Sequence, residues 1–225
     1  MTLLLTAMFL AAGPDRNAAE RALDAQDRTA LERLSSEAAQ RATAYPEDAD
    51  AQYRSAWTHS MLAQLAIELG DKGLGRRAAE SGIEHARRAV KTKPENAEYH
   101  RILGTLCGQI IPANVMAGLR YGKCAMEEVG KAVEMAPKSA MVWVSRGVGN
   151  YYLPPAFGGG VNLAIQDFQK AIQIDPKSSE AHLWLGIALR KSGKNAEARK
   201  SLARSLELNP NRKWAKQQLE KTPAQ

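Results

Sequence analysis

Few residues of this chain have both the type and the spacing to do chemistry. Cys107 and Cys124 are its two cysteines. No CxxC and no Cys/His cluster surrounds them, so they do not read as a zinc site. His59, His85, His100 and His182 are scattered and form no HExxH. Each reads as a surface or packing residue rather than a ligand. Gly158-Gly159-Gly160 stands before a predicted helix, and backbone N–H groups at a helix start can hold a phosphate. No strand leads into the run and no Gly-Lys-Ser/Thr follows, so it is not a P-loop. The alternative is a turn that lets two helices meet at an odd angle. GxSxG and GxGxxG after a strand are also missing. The residues therefore point away from an enzyme, a metal or a cofactor, and toward a binding surface.

Charge narrows the kind of surface. The net charge of +7 is concentrated between Arg190 and Lys221, where ten Lys or Arg face three Glu. The rest of the chain balances. Such a basic end could meet an acidic protein, anionic lipid or nucleic acid, or it could simply be a solvated face. Trp214 is the one aromatic in that stretch, so an interleaved stacking platform for nucleic acid is missing. Nucleic acid is therefore not the expected partner.

Leu3 to Ala12 is an apolar run of ten residues, too short to span a bilayer but long enough for a signal-peptide core. Ala11, Ala12 and Gly13 supply small residues after it. Residues 1–13 are thus a candidate signal peptide, and export to a periplasmic or secreted location is the expectation. No Lys or Arg precedes the run, and the alternative is a cytoplasmic protein with an N-terminal helix docked on its core. In an oxidising compartment Cys107 and Cys124 could pair; elsewhere they would be ordinary core residues.

The elements that position these residues are helices that recur. Prolines at 46, 94, 137, 176 and 210 are spaced 48, 43, 39 and 34 residues apart. Before the last lies Leu185-Gly186, then Ala198, then Leu202. Trp143, Gly147, Ala164 and Phe168 repeat the arrangement, and so do His100, Gly104, Ala125 and Val129. A more degenerate copy holds Ala56, Ala86 and Ala89. Small residues at Gly186 and Ala198 let two helices touch, Leu202 fills the next gap, and the proline ends the second helix. This resembles the tetratricopeptide repeat (TPR), whose period is about 34 residues. Extra length falls around Leu69 to Gly75, Ile110 to Leu119 and Leu153 to Gly160. Helices are predicted over 17–44, 48–69, 75–92, 96–111, 114–135, 139–151, 161–174, 178–192, 195–208 and 211–220, with Asp71, Asn114 and Asn195 as helix-start residues. The predicted fold is all-α: a right-handed superhelix of antiparallel helix pairs over 17–221. It has repeats at 48–94, 96–137, 139–176 and 178–210, an N-terminal helix, and a closing helix over 211–221.

The run Tyr151-Tyr152-Leu153-Pro154-Pro155-Ala156-Phe157-Gly158-Gly159-Gly160, followed by Ala164 and Phe168, is similar to that of a group of bacterial, often exported TPR proteins. More distantly the chain resembles the regulator of microtubule dynamics family. Both resemblances imply a protein-binding scaffold of undefined specificity. In TPR proteins the first helix of each pair lines a concave groove. The resemblance then implies inward positions at Tyr53, Trp57, Arg101, Tyr151, Tyr152, Arg190 and Lys191, joined by Met61, Glu98, Thr105, Gln109, Val144, Val148, Leu183 and Ile187. Aromatic and Arg residues are enriched in interface anchors, and Arg190 could meet an acidic or carboxylate feature. The chaperone-tail clamp of some TPR domains is disfavoured, because Tyr53 and Trp57 stand where its first Lys and Asn would be. Two other readings remain: a helical subunit holding a small ligand around Tyr151, Tyr152 and Phe157, and a binder of nucleic acid or membrane surface through the basic end.

Overall fold

The computed structural model describes residues 16–111 and 116–224. The candidate signal peptide at 1–13 and the helix start at Asn114 lie outside the described residues. Eleven α-helices and no strand occur among those described. They are α1 (Arg16–Asp24), α2 (Arg28–Ala44), α3 (Ala49–Leu69), α4 (Lys72–Thr92), α5 (Ala97–Ile110), α6 (Ala117–Met135), α7 (Ala140–Tyr152), α8 (Val161–Ile174), α9 (Ser179–Lys191), α10 (Asn195–Leu208) and α11 (Lys213–Glu220). The pairs α3–α4, α5–α6, α7–α8 and α9–α10 form the four repeats of an all-α TPR solenoid.

Local chemistry sets the helix ends. The side chains of Asp48, Asp71, Asn96 and Ser178 each accept a hydrogen bond from a backbone N–H of the first turn that follows, satisfying donors that have no partner inside the helix. Asn195 is instead the first residue of α10, preceded by Lys194. The single helix expected over 17–44 is two. Gln26 takes a φ of +50°, and Asp27 caps α2 by accepting from the N–H of Ala30. An Asp side chain that bonds the backbone ahead of it favours a turn and a new helix start over continuation. The extra length near Leu69 to Gly75 lengthens helices, one of the two outcomes its position allows. It extends both helices of the first pair to 21 residues each and leaves only Gly70 and Asp71 between them, with Gly70 left-handed at φ +75°.

The small residues sit where close helix contact demands them. A Cβ on Gly104 would lie 2.8 Å from the backbone N of Val129 and 3.1 Å from the carbonyl of Ala125. One on Gly147 would lie 2.5 Å from the Phe168 ring, and one on Gly186 would lie 2.5 Å from Leu202 and 3.0 Å from the carbonyl of Ala198. Ala164, Phe168, Ala198 and Leu202 are fully buried. In the first pair, Ala56 and Ala86 are both buried in one cluster, so two alanines replace the glycine and its large partner.

A second register mark recurs in all four repeats. The residue six positions after Pro46, Pro94, Pro137 and Pro176 hydrogen-bonds that proline's carbonyl. Gln52 Nε2 donates to Pro46 O at 3.3 Å, and Trp143 Nε1 to Pro137 O at 2.8 Å. His100 Nε2 lies 2.8 Å from Pro94 O and His182 Nε2 3.2 Å from Pro176 O. Three chemically different side chains thus tie each turn to the helix after it. The bond needs only a reachable N–H, so residue identity can drift while position does not.

Two large buried clusters result. One spans α1 to α6, the other α7 to α11. Ala132, Val133 and Val142 form a smaller separate cluster at the α6–α7 turn.

Candidate functional site

The first helices of successive pairs, α3, α5, α7 and α9, pack against one another in sequence and form the inner side of the array. Much of it is consumed by contacts among its own side chains. Trp57 is 4% exposed and belongs to the core. Arg101 is 5% exposed. Its guanidinium donates to both oxygens of Glu98, each at 2.6 Å, and to Ser145 Oγ at 3.1 Å. Tyr53 donates to Glu98 at 2.9 Å and stacks on Tyr99 with centroids 5.1 Å apart. Burial works against the Arg101 charge, but Glu98 holds its pKa above the usual value. Val144, Leu183, Ile187 and Gln109 are also buried. Trp57 and Arg101 therefore cannot reach a partner in this state. Aromatics and arginines that read as interface anchors are here the mortar between neighbouring repeats.

What stays open lies between α7 and α9. Tyr152 is 39% exposed. Its ring meets Tyr151 edge-on at 5.0 Å and the buried Trp184 at 6.3 Å. Tyr151 also meets Trp184, at 5.9 Å, and Trp184 meets Trp214 of α11 at 5.2 Å. Lys191 is exposed. Its ammonium donates to Tyr151 O at 2.9 Å and lies 4.1 Å from the centre of the Tyr151 ring. The Gly158–Gly160 run forms the turn behind this patch. Gly158 and Gly160 take φ of +84° and +120°, and a Cβ on Gly159 would overlap the Leu153 carbonyl. Side chains are excluded there on conformation and on space.

Arg190 faces α11 and Thr222 just after it. It donates to the Gln218 carbonyl at 3.2 Å and to Gln218 Oε1 at 2.7 Å. Arg199 donates to the carbonyls of Leu219 and Thr222 at 3.3 and 2.7 Å. The basic end is thus not a uniform solvated face. Lys194, Lys200, Lys213, Lys216 and Lys221 are exposed, while Arg190, Arg199 and Arg212 hold the closing segment in place.

Arg212 is the residue that sequence reasoning missed. It is 3% exposed and pairs with Glu68, whose side chain is fully buried. It donates 3.0 Å to the second Glu68 oxygen and 3.3 Å to the Leu23 carbonyl. Asp24 and Glu180 lie 3.7 and 3.8 Å from its Nε. Gln217 exchanges hydrogen bonds with Gln26, and Asn209 donates to Asp24 at 2.9 Å. The segment before and along α11 therefore meets the α1–α2 turn and the end of α3, which closes the solenoid across its inner side. Burial pushes the Glu68 carboxyl up, against the pull of Arg212 and Gln26. Burial works the other way on Arg212, but Glu180, Glu68 and Asp24 outweigh it and hold its pKa high. Glu180 apart, these partners are 144 to 191 residues from each other in sequence, and no local pattern announces them.

Cys107 and Cys124 form a disulfide between α5 and α6. On the outer side, a groove of about 760 Å³ between α8 and α10 has Ile172 and Leu185 among its lining residues, with Lys200 and Arg204 at its edge. No group of three or more His, Cys, Asp or Glu that could hold a metal ion occurs among the described residues. No helix among them is long and apolar enough to cross a membrane.

Comparison with known proteins agrees with the architecture. Residues 161–219 match the tetratricopeptide repeat family model. The regulator of microtubule dynamics protein 3 of Rattus norvegicus is 29% identical over 185 residues, which cover 75% of this chain and 38% of that protein. A small glutamine-rich tetratricopeptide repeat-containing protein of Mycosarcoma maydis is 33% identical over 104 residues, 46% of this chain and 28% of that one. The chain thus spans well under half the length of these relatives. Among solved structures, a TPR protein of Thermus thermophilus aligns over 91% of this chain and 96% of its own, with a TM-score of 0.66 at 16% identity. That likeness shows the fold.

Proposed function

We propose that this tetratricopeptide-repeat solenoid is a protein-interaction scaffold that takes an extended or helical peptide on its inner face, at the patch between α7 and α9. The observation that carries the reading is the half-open aromatic patch. Tyr152 is 39% exposed over a packed Trp184 and sits beside Tyr151, which carries the Lys191 ammonium on its ring. Rigid aromatics backed by a dry core, with a cation at the rim, are the composition of interface anchors. Tyr53 and Met61, half-buried on α3, would extend the contact.

The test is capture from source cells with the full chain, beside a Tyr53→Ala/Tyr152→Ala/Lys191→Ala variant. Trp57 and Arg101 are left intact because they are core residues. Loss of one specific protein in the variant is expected. Equal recovery from both would move the working surface to the outer face or to the exposed lysines of the basic end.

We place the protein outside the cytoplasm. The apolar run at the N-terminus and the Cys107–Cys124 disulfide both support this, since disulfides persist in oxidising compartments. Fractionation of source cells tests it, and recovery in the cytoplasmic fraction with both thiols free would overturn it.

A further inference from the structure

The closure of the solenoid points to what its inner face accepts. Three carboxylates, of Asp24, Glu68 and Glu180, converge on one guanidinium, that of Arg212. One positive charge among three negative ones leaves the seat acidic even when filled. The carboxylates come from three separate elements: the end of α1, the end of α3 and the first turn of α9. Two positions on from the arginine, Trp214 packs edge-on against Trp184, the same ring that backs Tyr151 and Tyr152. The seat for a guanidinium and the seat for an aromatic side chain therefore adjoin the open patch. Both are occupied by one short segment of the chain itself.

We infer that this seat is an arginine-recognition site, and that residues 209–222 hold it as an internal stand-in for a partner segment carrying Arg followed two residues later by an aromatic. The inference rests on the scaffold reading and extends it. A partner of this chemistry binds by replacing the closing segment, and the open aromatic patch is where it first lands. Specificity comes from the bidentate fit of a planar guanidinium to buried carboxylate, which a lysine cannot reproduce.

The test uses the full chain and a labelled peptide with the sequence of residues 209–222. The receptors are the natural chain, an Arg212→Gln chain, and an Arg212→Gln/Glu68→Gln chain. Arg212→Gln is expected to bind the peptide saturably and at least tenfold more tightly than the natural chain, whose seat is filled. A peptide with Gln in place of its arginine should lose at least tenfold, and so should the receptor that also carries Glu68→Gln. Equal binding to all receptors, or binding indifferent to the peptide's arginine, overturns the inference. Should Arg212→Gln fail to fold, amide hydrogen exchange on the natural chain decides. Excess peptide is expected to speed exchange in α11 while α5 stays unchanged, and unaltered exchange in α11 refutes the replacement. No cellular partner enters these measurements, so their failure leaves the capture experiment standing, and failure of capture leaves the seat standing.

Discussion

The glycines of this chain separate into those that packing requires and those it does not. Gly186 faces the side chain of Leu202 and the carbonyl of Ala198, and the backbone oxygen cannot yield as a flexible side chain can. Gly186→Leu is expected to force α9 from α10 and to cost about 1–3 kcal/mol, read as a lowered urea midpoint. Unchanged unfolding would refute the repeat register. Gly149 lies on the exposed side of α7, where an added Cβ would meet nothing within 4 Å. Gly149→Ala should therefore stabilise by about 0.5–1 kcal/mol through helix propensity alone. The two substitutions differ in sign because one site is a contact and the other is open helix surface.

At the scale of elements, the first and second pairs carry features the others lack. His85 of α4 lies against Gln52 of α3, with Nδ1 and Oε1 2.8 Å apart, and its ring centre is 6.0 Å from that of His59. Burial, then His59 and Arg88, lower His85 to about 4, and burial lowers His59 as well. An unfolded histidine titrates near 6.5, so between pH 6.5 and 4 the unfolded chain binds more protons than the folded one. Stability is full above pH 6.5 and falls as the pH drops toward 4. The expected loss is on the order of 1–2 kcal/mol once partial exposure of the ring is allowed for. His85→Gln should flatten the melting temperature over that range, and an equally steep profile in the variant would remove His85 as the cause. In the second pair, the Cys107–Cys124 bridge closes a separation of 17 residues. Reduction should cost about 3 kcal/mol by loss of chain constraint. Comparing urea unfolding with and without dithiothreitol measures it, with Cys124→Ser, which should not respond to the reductant, as the control.

At the scale of the whole molecule, Arg212 couples ends that lie far apart along the chain. Removing one partner of a buried ion pair typically costs about 3–5 kcal/mol, because the other charge is left uncompensated. Arg212→Ala should therefore destabilise by that order and release α11 together with the α1–α2 turn. Arg204→Ala, which breaks the exposed pair with Glu207, should change stability by about 0–1 kcal/mol. Urea denaturation of both variants checks the contrast, and similar midpoints would mean that the closure contributes little. An open repeat array unfolds with nearest-neighbour coupling. Closure adds a long-range term to that scheme, so the two buried clusters should unfold together in the natural chain and separately in Arg212→Ala.

The sequence by itself determined the helices, their pairing and the register of their contacts. Gly104, Gly147 and Gly186, with Ala125, Ala164, Ala198, Phe168 and Leu202, stand where the repeat pattern put them, because close helix approach is a local demand written within one period. The tie from Pro46, Pro94, Pro137 and Pro176 to the residue six positions on was not read from the sequence, because Gln52, His100, Trp143 and His182 are three different residue types. The break at Gln26 depended on one turn residue amid strong helix formers, so periodicity ran through it. Only the tertiary structure decided which inward residues remain available. Trp57 and Arg101 vanish into packing because neighbouring first helices lie close enough for one to satisfy the other. Arg190 and Arg212 are taken up because the segment around α11 folds back onto α9 and onto the α1–α2 turn. A charge count along the sequence cannot tell a solvated arginine from one buried among carboxylates that lie up to 188 residues away in sequence; three-dimensional proximity sets that distinction.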